Sequence, residues 1–233
     1  MTAIIAAAQH CVNAGAILTK AAKQPTQRDM SEAKQSPGTY GSERLIAFSD
    51  AVMAVAITLL VLDLKLPEGL NEGALYVAVP DLSHALWCYV LSFIVIGLLW
   101  MAHHNQFAHI RAVDGVLMWL NLFFLMAVAL IPFTTSVMSD HRTALPTMMY
   151  AAVLMVVALL LAAIWGYACR RPELISTDVT PVMRRQGVID PLFVAAVFAL
   201  SIGVAYVQGS AAGQWTWLLA AVAGPVASRL SRI

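Results

Sequence analysis

Asp50 is a carboxylate in a segment where a carboxylate is costly. It lies near the start of residues 44–66, which read RLIAFSDAVMAVAITLLVLDLKL. A charged group at the centre of a bilayer costs roughly 3 kcal/mol on insertion scales, so a carboxylate buried there needs hydrogen-bond donors. We expect His103 to be one donor to Asp50. The polar network that we expect around Asp50 comprises Ser49, Trp100, His103, His104, Trp119 and Asn121.

Histidines and cysteines are the other residues that could support chemistry. His103, His104 and His109 invite a metal-site interpretation, but the chain has six histidines in all. His103 and His104 are adjacent, so on a helix they point about 100° apart and cannot share one ligand-bearing face. The three cysteines have no paired spacing that would indicate a disulfide framework or a zinc site. We therefore predict no bound metal and no cofactor.

The composition is that of an integral membrane protein. Of the 233 residues, 60% are hydrophobic and 12% are charged, and the mean hydropathy is +0.76. The net charge of +1 provides no basic field that would attract nucleic acid. A helix needs about 20 apolar residues to cross the hydrocarbon core, and six stretches reach that length. They are residues 45–66, 83–105, 114–138, 146–168, 188–207 and 213–230.

Local features within these spans predict further structure. The short turn QGSAAGQ between the fifth and sixth spans predicts a helical hairpin. Pro132 predicts a kink in the third span, where the hydroxyls of Thr134 and Thr135 would bond to the carbonyls that it frees. Asp114, at the start of that span, is expected to stabilise the helix N-terminus or to pair with Arg111.

The distribution of lysine and arginine predicts how the bundle is oriented. Twelve of these residues fall on one side of the predicted spans, and only Lys65 and Arg142 fall on the other. Basic residues favour the cytoplasmic side of a membrane protein. We therefore predict a multi-pass protein of the cell (inner) membrane with both termini in the cytoplasm and with external loops at 67–82 and 139–145.

The first 43 residues differ in composition from the rest of the chain. They include the turn-forming stretches QPTQRD and KQSPGTYGSE, which predict a flexible cytoplasmic extension over residues 1–43 and a six-helix domain over 44–233. Met30 could be the true start. Residues 38–41 read GTYG, as in the tail of a potassium-channel filter, but they precede every span, so we expect no filter there.

The first span has two distinguishable faces on a helical wheel at about 100° per residue. One face is a stripe about 100° wide that is apolar apart from one hydroxyl, and Asp50 points away from it. Ordinary helix packing would account for such a stripe, as would a functional surface. The stripe consists of Ala51, Val55, Thr58, Leu59 and Leu62.

The start of this span also carries a motif. Arg44, Phe48, Ser49 and Asp50 fit the pattern RxxxFSD, which resembles the signature of the transmembrane-protein-175 potassium channels of lysosomes and bacteria. The stretches AITLLVLDLKLP, WMAHHNQF and LNLFFLMAVALIPFTT are also similar to the bacterial members, so the resemblance covers residues 44 to about 138. The chain has one six-helix repeat, as bacterial members do.

The resemblance implies a homotetramer in which the first helix of each subunit lines a central pore. The family has no P-loop filter, and rings of bulky apolar side chains form its constriction. In this sequence those rings fall on Val55, Leu59 and Leu62, and the pore-facing hydroxyl falls on Thr58. Val55 departs from the isoleucine or leucine that is more usual, so the narrowest point could be wider here or shifted to Leu59.

We therefore predict an all-α membrane protein of six transmembrane helices that acts as a potassium-selective or potassium-preferring cation channel and not as an enzyme. Potassium would be the permeant ion, and the partners would be other copies of the chain, the lipid bilayer and monovalent cations. The alternative is a proton-coupled secondary transporter that uses Asp50 and His103. That class expects charges near mid-membrane, whereas here they crowd one interface. For a membrane enzyme we find no nucleophile, histidine box or phosphate loop in the sequence.

Overall fold

The computed structural model describes residues 40–65 and 82–219. Helices make up most of the described chain, and two short strands pair antiparallel, with Tyr40 opposite Val113. In chain order the elements are β1 (Tyr40–Gly41), α1 (Ser42–Leu59), a 3₁₀ helix (Leu60–Asp63), α2 (Leu82–Phe107), β2 (Ala112–Val113), α3 (Gly115–Ala129), α4 (Ile131–Asp140), α5 (Ala144–Cys169), α6 (Pro181–Gln208) and a helical stretch at 210–219, α7.

Five segments of the described chain are long and apolar enough to cross a membrane. They are α1 with the 3₁₀ helix, α2, α3 with α4, α5, and α6. The first five predicted spans are thus confirmed, although α6 begins at Pro181, before the predicted start at 188. The sixth predicted span, 213–230, lies partly outside the described residues, and its described part is helical. Residues 1–39 of the predicted extension also lie outside them.

The start of α1 is fixed by the small β-ladder. Tyr40 and Gly41 pair with β2, and the helix follows directly from Ser42, so the first span starts before the predicted boundary at 43/44. Tyr40 and Gly41 belong to the GTYG stretch. They lie in this ladder just before the start of α1, which is not the position of a pore filter.

α5 is the central helix of the bundle. Half of its most apolar stretch is buried, compared with 22% in the first span and 17% in the second. Its Tyr150 and Val157 belong to the same core as Met53 of α1 and Phe124 of α3. α1 and α2 therefore keep large apolar surfaces that the rest of the described chain does not cover.

The third span is broken where Pro132 was expected to disturb it. α3 ends at Ala129, and α4 begins at Ile131 with the proline in its first turn. The Leu130 N–H donates to the carbonyls of Ala127 and Val128 and so supplies the donor that Pro132 lacks. The hydroxyls of Thr134 and Thr135 both donate to Ile131 O, at 3.0 and 2.8 Å. The break is confirmed. The threonine hydroxyls, however, bond to Ile131 O and not to the Val128 carbonyl that Pro132 frees, so that part of the prediction is wrong.

A buried hydroxyl cluster holds α4 against α2 and α5. The Ser92 Oγ lies 2.8 Å from Thr135 Oγ1 and 3.1 Å from the phenol oxygen of Tyr150. All three side chains are buried, so these groups satisfy one another where no water is at hand. The cluster thereby holds α4, the second half of the third span, against its neighbours.

A second proline, Pro191, lies inside α6 and frees the carbonyl of Gly187, four residues earlier. The Gln106 side chain of α2 donates to this carbonyl at 3.3 Å. A side chain at Gly187 would collide with Trp165, because a Cβ there would lie 2.2 Å from the ring nitrogen. That nitrogen donates a hydrogen bond to Arg184 O. The turn of α6 before Pro191 is therefore tied to both α2 and α5.

α6 and α7 form the predicted hairpin. Gly209 joins them with φ of 93°, a conformation that favours glycine. The Ser201 hydroxyl donates to Gly213 O at 3.0 Å, and the Trp217 ring N–H donates to Ser201 Oγ at 2.7 Å. These bonds hold the described part of the sixth helix against the fifth span.

The hydroxyl cluster predicts unequal effects of two substitutions. Ser92→Ala would leave the fully buried Tyr150 hydroxyl without its partner, and an unsatisfied buried group costs about 1–3 kcal/mol. Tyr150→Phe removes the phenol oxygen itself and leaves Ser92 its contact with Thr135, so we expect a loss of about 1 kcal/mol or less. Thermal unfolding of both variants in one detergent measures the difference, and a larger loss for Tyr150→Phe would contradict this role.

Candidate pore-lining face and its supporting network

The two faces of α1 have different environments. Val55, Leu59 and Leu62 on the predicted stripe are 56%, 43% and 60% exposed. The opposite stripe, which packs into the bundle, consists of Ser49, Met53, Ala56 and Leu60, all almost fully buried. The residues that the structure describes therefore leave the apolar stripe uncovered.

Thr58 supplies the hydroxyl on the exposed stripe. Its Oγ1 donates to Val55 O at 2.9 Å, a bond within the helix that satisfies the hydroxyl proton. The lone pairs of Oγ1 stay available to whatever lies in front of this face. The face thus combines three apolar side chains with one free acceptor.

A chain of three buried side chains anchors the opposite face of α1. The Asn121 amide nitrogen of α3 donates to Ser49 Oγ at 2.9 Å, and Ser49 Oγ donates to Leu45 O. Asn121 Oδ1 lies 2.8 Å from His103 Nε2 of α2 and can only accept, so Nε2 carries the proton. Asn121 therefore connects α1 to α2 and α3 through one amide group.

His103 is also held by aromatic rings. It is fully buried, and its ring stacks at 4.3 Å from the centroid of Phe107 and at 5.1 Å from that of Phe124. Sequence reasoning did not identify these two phenylalanines, since an aromatic residue in an apolar span carries no signal of what it stacks on. They fix the ring plane that the bond to Asn121 needs.

The expected bond from His103 to Asp50 is wrong. Asp50 instead accepts from the ring N–H of Trp100 at 2.8 Å, whereas His103 bonds to Asn121. The physical reason is that Ser49 lies on the buried stripe and Asp50, one residue later, points about 100° away from it. His103 faces the core and Trp100 faces the half-exposed flank to which Asp50 points.

The other residues of the expected network lie at its margin. The His104 ring is exposed and lies 5.6 Å from that of Trp100. Trp119 is exposed and lies beside Phe123, while Arg44 and Phe48 of the motif are also exposed. Among the described residues, the network is thus divided into the chain Ser49–Asn121–His103 and the pair Asp50–Trp100.

The histidines do not converge on a metal. His103 is buried and His104 is exposed, as their spacing predicted. In residues 40–65 and 82–219, no three side chains of the types His, Cys, Asp and Glu are grouped so that they could hold a metal ion. His103 Nδ1 has no hydrogen-bond partner among these residues.

Asp114 has the helix-stabilising role that was one of its two expected roles. It is the N-cap of α3 and accepts from the Leu117 N–H at 2.8 Å, and the Tyr167 hydroxyl donates to its other oxygen. Arg111 instead donates to the carbonyls of Pro172 and Glu173. The described structure gives no ion pair between Asp114 and Arg111.

The chain is similar to known channels over the region of this network. The family model described as endosomal/lysosomal potassium channel TMEM175 matches residues 44–132. A potassium channel of Streptomyces collinus is 35% identical over 172 residues, which cover 72% of this chain and 84% of that protein. A potassium channel of Chamaesiphon minutus is 27% identical over 61% of this chain and 73% of its own length.

The fold is similar to that of a solved structure. A crystal structure described as a lysosomal potassium-selective channel TMEM175 homolog from Chamaesiphon minutus matches with a TM-score of 0.68 and 22% identity. The match covers 80% of this chain and 97% of that one. The helical arrangement is therefore shared, at an identity that speaks for the fold alone.

The divided network predicts that Asn121 matters more for stability than Trp100. Asn121→Leu would leave His103 Nε2–H without its acceptor and Ser49 Oγ without its donor in the core. We expect this to cost on the order of 2–3 kcal/mol. Trp100→Phe removes one donor from the partly exposed Asp50, for about 1 kcal/mol. Thermal unfolding checks the order, with Trp119→Phe as the control that should match the wild type. Equal losses for Asn121→Leu and Trp119→Phe would contradict the anchoring role.

Proposed function

The chain belongs to the TMEM175 family, and from that membership we propose that it is a potassium channel whose pore is enclosed by the exposed face of α1 in a homotetramer. The observation that carries the proposal is the uncovered stripe of Val55, Thr58, Leu59 and Leu62. This stripe runs along α1, near whose start the family motif lies, and into the 3₁₀ helix that carries Leu62. A single helix cannot surround an ion path, so several copies must bring this face to a common axis.

The proposed pore selects by narrow apolar rings. Repeated around an axis, Val55, Leu59 and Leu62 would form successive rings that exclude water unless they dilate, and an ion passing them must shed part of its hydration. Thr58 would add one hydroxyl oxygen per subunit between the rings. Potassium is held less tightly by its water than sodium, which favours its passage through such a constriction. No further cofactor is required by this mechanism.

The buried anchor has a direct part in this function. The Ser49–Asn121–His103 chain fixes which face of α1 enters the bundle, and the opposite face is then presented outward. The Trp100 bond to Asp50 limits rotation about the helix axis from the flank. A pore made from one helix per subunit needs this fixed rotation, because a turn of one residue would replace Leu59 by Leu60 at the axis.

The transporter alternative is not favoured by the geometry. A proton relay would need Asp50 and His103 in contact, whereas each bonds to a different partner and His103 is enclosed by aromatic rings. The proposed location is the cell (inner) membrane with both termini in the cytoplasm, supported by the basic residues that crowd one side of the spans.

Two adjacent leucines test the proposal. Leu59→Asn should leave expression and assembly close to wild type, because its side chain is 43% exposed in the described structure, and it should raise conductance and weaken potassium preference by keeping the ring hydrated. Leu60→Asn, at a position that is 1% exposed, is the matched control and should prevent folding. Single-channel recording under a potassium/sodium gradient, with mass determination in nanodiscs, gives both readouts.

The outcomes separate channel from carrier. Unitary currents from a tetrameric wild type, with the expected difference between the leucines, support the proposal. A conducting monomer, turnover without unitary currents, or a Leu59→Asn variant with unchanged permeation would overturn it.

Thr58 tests the polar part of the same face. Thr58→Val keeps the shape and removes the hydroxyl oxygen, so the permeability ratio of potassium to sodium should fall while tetramer yield stays unchanged. Thr58→Ser retains the oxygen and is the control, with the wild-type ratio expected. The reversal potential gives the permeability ratio of each variant. An equal ratio in Thr58→Val and Thr58→Ser would exclude a contribution of the hydroxyl.

A further inference from the structure

A small apolar cluster at the end of α5 and the start of α6 is surrounded by arginines. The cluster consists of Trp165, Ile175 and Val179, and both Cys169 of α5 and Met183 of α6 pack against it. Exposed arginines from three separate parts of the chain lie beside these elements, and they are Arg111, Arg170, Arg171, Arg184 and Arg185. The packing of the cluster therefore gathers five basic side chains at one end of the bundle.

The carboxylates near these arginines are already engaged. Asp114 caps α3, Asp178 lies 3.6 Å from His109 Nδ1, and Glu173 lies 3.4 Å from Arg171. Within residues 40–65 and 82–219, no carboxylate forms an ion pair with the other four arginines, which are Arg111, Arg170, Arg184 and Arg185. The region is thus positively charged, and its guanidinium groups have the paired N–H donors that suit a phosphate.

An exposed apolar stripe continues from Arg185 along α6. Ile189, Phe193 and Leu200 follow it at intervals of four, four and seven residues, so all of them lie on one face of the helix, and all are exposed. In the described structure α7 packs on the opposite face, through Ser201. Because α6 is long and apolar enough to cross the membrane, Arg185 near its start lies at the level of the lipid headgroups and the stripe lies along the hydrocarbon.

We propose that Arg184 and Arg185, with Arg170 beside them, bind the headgroup phosphate of an anionic phospholipid whose acyl chain lies along this stripe. Charge complementarity identifies the occupant, because anionic lipids are attracted to basic side chains that lie next to a membrane span. The stripe points to a lipid and not to a soluble phosphate, which would use the arginines alone. The headgroup class that fits is that of phosphatidylglycerol, which has one negative charge.

The lipid site lies away from the proposed pore. Among the helices that precede it, α6 packs mainly on α5, whereas α1 packs on α2 and α3. With α1 at the axis of an assembly, α6 would lie at the periphery, where lipid reaches it. The bound lipid would bridge the end of α5 and the start of α6, and its binding does not depend on the path of the ion.

The test measures lipid binding to the purified full chain by native mass spectrometry. Dioleoyl-phosphatidylglycerol is titrated, and dioleoyl-phosphatidylcholine, which has the phosphate but no net charge, is the comparison lipid. We expect the wild type to prefer phosphatidylglycerol, and Arg184→Gln with Arg185→Gln to weaken its binding by on the order of tenfold. Lys65→Gln with Arg142→Gln is the matched control, because it removes the same charge from exposed positions on the other side of the spans and should keep the wild-type affinity.

A soluble competitor separates a lipid from a free phosphate. Glycerol 3-phosphate has the charged group without acyl chains, so it should not displace phosphatidylglycerol from the wild type. If the double arginine variant fails to fold, the single variant Arg185→Gln still tests the site, with a loss of about fivefold expected. Unchanged phosphatidylglycerol affinity in the arginine variants, an equal loss in the Lys65→Gln/Arg142→Gln control, or displacement by glycerol 3-phosphate would overturn the proposal.

Discussion

The structure depends on one buried amide. In an apolar bundle every polar group must find a partner within the protein, and Asn121 satisfies two of them at once by accepting from His103 and donating to Ser49. Because those residues belong to three different helices, the two bonds of Asn121 fix how α1, α2 and α3 are rotated relative to one another. The apolar core alone would not choose between neighbouring rotations of α1, since leucine, valine and alanine occupy both of its faces.

Polar groups also compensate for missing backbone hydrogen bonds elsewhere in the bundle. Pro132 and Pro191 each free a carbonyl, and nearby donors from the Leu130 backbone and the Gln106 side chain compensate for the missing N–H groups. The hydroxyls of Ser92, Thr135 and Tyr150 hold α4, the second half of the third span, against α2 and α5. Polar groups thus occur where helices are interrupted or must be oriented, whereas the surfaces of α1 and α2 that the described residues leave uncovered are mainly apolar.

The sequence was informative about lengths and faces and less so about partners. Apolar runs of sufficient length predicted the five spans, because crossing a bilayer imposes that length on any helix. The wheel separated Val55 and Leu59 from Asp50, since helical geometry is local. It could not assign the donor of Asp50, because direction on one helix does not reveal which face its neighbour presents, and His103 turned towards Asn121. The donor to Gly187 O was not predicted either, because Gln106 lies 81 positions away in the sequence.

The β-ladder before α1 has a mechanical consequence. Tyr40 and Gly41 pair with Val113 and Ala112, and α1 follows from Ser42 without a linker. Residues 109–112 are in turn bonded to the 174–176 segment, through Arg111 N–H to Leu174 O and Ser176 N–H to His109 O. A pull on the chain upstream of Tyr40 would therefore load this clamp first, in shear across its hydrogen bonds, before any torque reached the helix. The clamp isolates α1 from tension in the N-terminal segment up to the force at which the ladder separates, and above that force it would transmit the pull directly to the helix.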